Sequence, residues 1–129
     1  MDKHLFISDL DGTLLRSDAT LSEFSKSNLN KLLENLNFHF TIATARSHNT
    51  VSQILEGLNL RLPVILFNGG FISDFHTGEH FSVNYLDKEL CPQLLEIISK
   101  HAGSPLISTH EEPVDGLYFR DASNAGMKW

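Results

Sequence analysis

Three short apolar runs are separated by two segments of helical periodicity, and this alternation restricts the fold more than any other feature of the sequence. The runs are Leu5-Phe6-Ile7, Phe38 to Ala43 and Pro63 to Phe67. Between the first two, Leu29, Leu32, Leu33 and Leu36 recur at i, i+3, i+4 and i+7, the spacing of one helix face. Thr20 with Glu23 fits a capping box at the start of that helix, and Ser22 is a competing N-cap. Between the second and third runs, Val51, Ile54, Leu55 and Leu58 repeat the pattern behind a capping Ser47. Strand, helix, strand, helix, strand is the rhythm of a parallel sheet with helices packed on it. Strands that are apolar throughout fit a sheet covered on both faces. The first 78 residues therefore read as an α/β core.

After Gly70 the rhythm changes. Phe71 to Asp74 and His80 to Val83 flank Thr77-Gly78, which predicts a hairpin. A helix follows from Asp87 to His101, with Leu90, Leu94, Ile97 and Ile98 on one face. Two strand-like pieces come next, Pro105 to Thr109 and Gly116 to Arg120. Residues 79–129 read as a second, α+β unit.

Formal net charge is −6, and Lys and Arg are scattered. That disfavours nucleic-acid binding, which needs clustered cations. The longest apolar run, Leu62 to Phe67, falls far short of the ~20 residues of a membrane span. The N-terminal residues lack the apolar segment of a secretion signal, so the expected location is cytoplasmic. One cysteine, Cys91, leaves no internal disulfide. His76 and His80 straddle the predicted turn and read as solvent-exposed. His48 reads as a helix-surface residue, with contact to a ligand beside the loop before it as the alternative. Phe71, Phe75, Phe81 and Phe119 read as packing residues.

Each apolar run ends in polar residues suited to chemistry. The first ends in Asp9-Leu10-Asp11-Gly12-Thr13-Leu14. In open α/β sheets, ligands bind beyond the carboxyl ends of the strands. Two carboxylates so close repel each other and need a cation or a shared proton. Their hard oxygens suit Mg²⁺, which takes one or two protein carboxylates plus phosphate oxygens. The second run ends in Thr44-Ala45-Arg46 at a helix start. A hydroxyl, backbone N–H groups and a helix N-terminus make an anion site. The third ends in Asn68-Gly69-Gly70. Taken singly, these read as an acidic turn, a helix cap with a surface Arg, and a plain turn.

Together, in this order, the three motifs resemble the haloacid dehalogenase (HAD) superfamily, and more narrowly its Cof-type phosphatases with an α+β cap. The resemblance covers residues 3 to about 120. It implies a partial Rossmann-like parallel sheet carrying part of a cap. It implies Mg²⁺-dependent hydrolysis of a small phosphorylated metabolite through an aspartyl phosphate. Asp9 is then nucleophile and metal ligand. Asp11 is general acid/base, with its carbonyl on the metal. Leu10, Gly12, Thr13, Thr44, Ala45, Arg46, Asn68 and Gly69 contact phosphate or substrate. Ala45 stands where the family usually has Gly, which would disfavour a backbone with positive φ. Members of the family supply a further lysine and an acidic segment beyond the cap. Neither is found here: Lys100, Lys128, Glu111, Glu112, Asp115 and Asp121 lie in the wrong context. Phosphoryl transfer depends on charge neutralisation, and deleting one stabilising group costs about 10²–10³ in rate. The alternative is therefore a non-catalytic relative. In either case the first strand would have an open apolar edge, and a second copy or a complementary chain would be expected to fill it.

Overall fold

The computed structural model describes residues 4–101, 105–111 and 114–119. The strand, helix, strand, helix, strand order is present as β1 (Leu5–Ser8), α1 (Glu23–Leu33), β2 (His39–Ile42), α2 (His48–Ile54) and β3 (Val64–Leu66). β1 and β2 are parallel, with Leu5 opposite His39 and Ser8 opposite Ile42. A parallel bridge between Ala43 and Ile65 joins β2 to β3. The hydroxyl of Thr41 reinforces that seam by donating to the Pro63 carbonyl at 2.6 Å.

The helices follow from local chemistry. Ser22, not Thr20, caps α1: its Oγ accepts from the Ser25 N–H at 2.9 Å. Thr20 is occupied elsewhere, bonded through both N–H and hydroxyl to Asp18. The apolar stripe outlasts the helix. α1 stops at Leu33, and Leu32 and Leu36 are exposed. The Asn35 side chain accepts from the Asn37 N–H at 3.0 Å, a local turn that competes with another helical turn. Ser47 caps α2 as expected. Asn30 ties α1 to the loop after α2 by donating to Gly57 O and accepting from Asn59 N–H.

The core lies where the two covering stripes meet the sheet. Leu33, Val51, Leu55 and Leu58 pack with Ile42, Val64 and Leu66, all buried. Each such side chain contributes about 1.5–3 kcal/mol by leaving water.

β3 then pairs antiparallel with β4 (Phe71–Ser73), and β4 with β5 (His80–Val83). The connecting turn matches expectation, with Gly78 at φ +79°. Of its histidines, His76 is exposed, as expected, and His80 is half-buried, yet each has a hydrogen-bond partner. His76 Nε2 lies 2.8 Å from Leu60 O, and His80 Nδ1 lies 2.7 Å from Ser73 Oγ. His48 Nε2 lies 2.8 Å from Phe75 O, so this ring supports the hairpin. Phe71 and Phe75 are buried, whereas Phe81 is exposed.

Compact units divide the chain as Met1–Asn84 and Tyr85–Trp129. The division falls after β5 and not near residue 78, because β5 is hydrogen-bonded into the hairpin with β4. The second unit contains α3 (Leu90–His101) and the antiparallel pair β6 (Ile107–Glu111) and β7 (Val114–Tyr118). Phe119, in this unit, is exposed. Glu112, Asp121 and Lys128 lie outside the described residues. No helix among the described residues is long and apolar enough to cross a membrane.

Candidate active site

The first motif leaves β1 through a wide turn. Asp9 is extended, and its carboxylate accepts from the Leu10 N–H at 2.7 Å. Asp11 at φ −71°, ψ 123° and Gly12 at φ 72°, ψ 1° are the central residues of a type II turn, which needs a residue tolerant of positive φ in the second place. The Leu15 N–H donates to the Leu10 carbonyl at 2.9 Å and closes the loop. Leu10 itself is fully buried. It anchors the loop from below, while Asp9, Asp11, Gly12 and Thr13 stay exposed. Leu10 therefore holds the loop in place.

Backbone bonds lock the three strand ends together. The Ala43 N–H donates to Ser8 O, the Thr44 N–H to Ile65 O, and the Asn68 N–H to Thr44 O, at 2.9, 2.9 and 3.0 Å. Thr44 is buried, and its Oγ1 accepts from the Arg46 N–H at 3.3 Å. Ala45 is absent from the residues with positive φ, so the missing Gly carries no backbone cost. The strain lies further on. Phe67 and Asn68 have φ of +49° and +55°, and a bulky residue there is an outlier. The Phe67 ring packs edge-on against Phe71 with centroids 4.9 Å apart, and its N–H donates to Arg46 O at 3.3 Å. Gly69, at φ +92°, has open space where a Cβ would be.

One side-chain link crosses between motifs. Arg46 donates from Nε to Asp11 Oδ2 at 2.8 Å and from Nη2 to Asp11 Oδ1 at 2.7 Å. This hydrogen-bonded guanidinium holds the Asp11 carboxyl below the usual carboxylate range, and Asp11 in turn raises Arg46. Sequence reasoning placed both residues at the site but did not pair them. They are 35 positions apart, and no local signal reports such a contact.

The donor set suits a hard divalent cation. Asp9 and Asp11 offer exposed oxygens at adjoining positions of one loop, the chemistry Mg²⁺ prefers. Asp9 has an oxygen beyond the one bonded to Leu10 N–H, and the Asp11 carbonyl lies on the same loop. The residues fit the ion.

The sequence matches the haloacid dehalogenase-like hydrolases over residues 6–126. The chain belongs to that family. Among curated HAD relatives, it is 29% identical over 119 residues to the 5-amino-6-(5-phospho-D-ribitylamino)uracil phosphatase YitU of Bacillus subtilis, covering 90% of this chain and 42% of that protein. It is 29% identical over 101 residues to the pyridoxal phosphate phosphatase YbhA of Escherichia coli, covering 78% and 37%. A solved HAD-like hydrolase from B. subtilis superposes with TM-score 0.68 at 26% identity, over 82% of this chain and 37% of the other. SMU.1108c from Streptococcus mutans superposes with TM-score 0.72 at 15% identity, over 95% and 45%, a likeness of fold alone. The chain thus spans about two fifths of the length of the HAD phosphatases it matches. Phosphatase relatives on this scaffold support phosphatase chemistry in general.

Proposed function

We propose that the chain carries the nucleophile-bearing part of a Mg²⁺-dependent phosphomonoester hydrolase of the Cof type, acting on a small phosphorylated metabolite in the cytoplasm. The observation that carries this reading is the binding together of three strand ends that bear Asp9, Thr44 and Asn68. Relatives named for dephosphorylating small molecules agree with it.

In this mechanism an Asp9 carboxylate oxygen attacks phosphorus, and the P–O ester bond breaks as an aspartyl phosphate forms. Asp11 gives its proton to the departing alcohol oxygen. It then takes a proton from water as that water attacks the phosphoryl group, which frees Asp9 and inorganic phosphate. Thr44, Asn68 and Gly69 with neighbouring amides hold the phosphoryl oxygens. Mg²⁺, held by Asp9 and the Asp11 carbonyl, would supply charge neutralisation. Turnover of p-nitrophenyl phosphate, with and without EDTA, tests the reading in wild type and Asp9→Asn. Metal-dependent turnover that vanishes in the variant is expected. Undiminished turnover in the variant removes Asp9 from the nucleophile role.

A second reading rests on β1. Leu5, Phe6 and Ile7 are 54%, 52% and 51% exposed, an apolar edge of the kind that recruits another chain. In this reading the chain is a non-catalytic relative that pairs with a second copy or a complementary chain. Mg²⁺ binding detected by calorimetry without any turnover would favour it.

A further inference from the structure

The Arg46–Asp11 fork creates a problem for the chemistry just described. Asp11 can exchange a proton with an ester oxygen only by presenting a carboxylate oxygen to it. Both of its oxygens are held by the guanidinium, at 2.7 and 2.8 Å. The fork ties both oxygens of Asp11 to Arg46.

The same geometry offers the release. Arg46 is fixed at its backbone between two strand-end loops, its N–H on Thr44 Oγ1 and its carbonyl accepting from Phe67 N–H. Only the outer side chain needs to turn. The guanidinium fork matches phosphate as well as carboxylate, and a phosphate dianion carries more charge. The pair is partly open to solvent, with Asp11 53% and Arg46 27% exposed, and exposed ion pairs are weak. An arriving dianion can therefore displace the carboxylate.

We propose that Arg46 is a positioning residue with two partners, clamping Asp11 through both carboxylate oxygens and transferring to the phosphoryl group when a phosphorylated ligand binds, so that ligand binding frees Asp11. The proposal rests on the phosphatase reading of the site. It adds a coupling between ligand arrival and the freedom of the proton-transferring group, and it assigns this coupling to Arg46.

A double-mutant cycle with inorganic phosphate as probe tests it. Calorimetry in Mg²⁺ buffer would be run on wild type, Asp11→Asn, Arg46→Gln and the double variant. Removing Asp11 frees the guanidinium, so Asp11→Asn should tighten phosphate binding about tenfold in the wild-type background and less than about twofold beside Arg46→Gln, a coupling within the range of contacting pairs. The cycle separates this from the simple loss of a nearby negative charge, which acts in both backgrounds. Arg46→Lys, which keeps the charge without the fork, should bind phosphate more weakly than wild type and respond less to Asp11→Asn. The Arg46 Nε–H resonance should move when phosphate is added to the wild type. Equal tightening in both backgrounds, or an unmoved Nε–H signal on saturation, overturns the two-partner role and leaves the phosphate site standing. No phosphate binding by either wild type or Asp11→Asn overturns the phosphatase reading and the inference with it.

Discussion

Asp74 shows how a single carboxylate can hold a turn. Its Oδ1 accepts from the His76 N–H at 2.8 Å, the Thr77 N–H at 2.7 Å and the Thr77 hydroxyl at 3.1 Å. Thr77's backbone bond is the largest cause that lowers its pKa from the ordinary value. The unfolded chain keeps a value of about 3.9. The folded state therefore binds this proton less readily, and the stabilisation is complete above about pH 4 and fades as pH falls through the lower folded value. Asp74→Asn keeps an acceptor that does not titrate. Thermal melts should show wild type above the variant at neutral pH and the gap closing in acid; a gap unchanged down to pH 2 would refute the assignment. Single residues also mark the limit of sequence reading. The placement of Asp9, Thr44 and Asn68 at strand ends was legible because each follows an apolar run. The strain at Phe67 and the fork between Arg46 and Asp11 were not, since both depend on contacts made across loops.

Among elements, the two tight turns differ in what a methyl group would meet. Gly12 has φ +72° with nothing within 4 Å of an added Cβ. Gly12→Ala should cost only the left-handed backbone penalty of about 1–2 kcal/mol. At Gly78, φ is +79° and the added Cβ would lie 2.8 Å from His48 Nδ1. Gly78→Ala should cost that penalty plus an overpacking term of about 1–3 kcal/mol. Denaturant melts of the two variants would measure the difference, and His48→Ala beside Gly78→Ala should recover only the steric part. In the core, Ile42→Ala should cost about 2–5 kcal/mol, because Ile42, the last residue of β2, is wholly buried. The alternation of strands and helices was readable from hydrophobic period alone. The end of α1 was not. Leu36 continues the stripe, but the turn chemistry of Asn35 and Asn37 stops the helix first. The division at Asn84 was missed for a related reason: a hairpin joins its second strand to the unit of its first, and composition does not register that.

For the whole molecule, the exposure of β1 is the feature that bears on association. Among the described residues it has one strand neighbour, β2. Successive strand residues face opposite sides of a sheet, so the near-equal exposure of Leu5, Phe6 and Ile7 means that neither face nor edge is fully covered. Phe6 is partly sheltered by stacking on Phe38, with ring centroids 5.3 Å apart. Ile7 has no ring contact of this kind among the described residues. Charge on such an edge blocks strand addition without disturbing the core, which makes Ile7→Lys the cleaner probe. Size-exclusion chromatography with light scattering at micromolar concentration should give a mass above that of one chain, rising with concentration, and Ile7→Lys should return it to a folded monomer with an unchanged far-UV circular dichroism spectrum. A wild type that stays monomeric throughout that range would mean that the exposed edge is quiet, and the pairing argument drawn from it would fail.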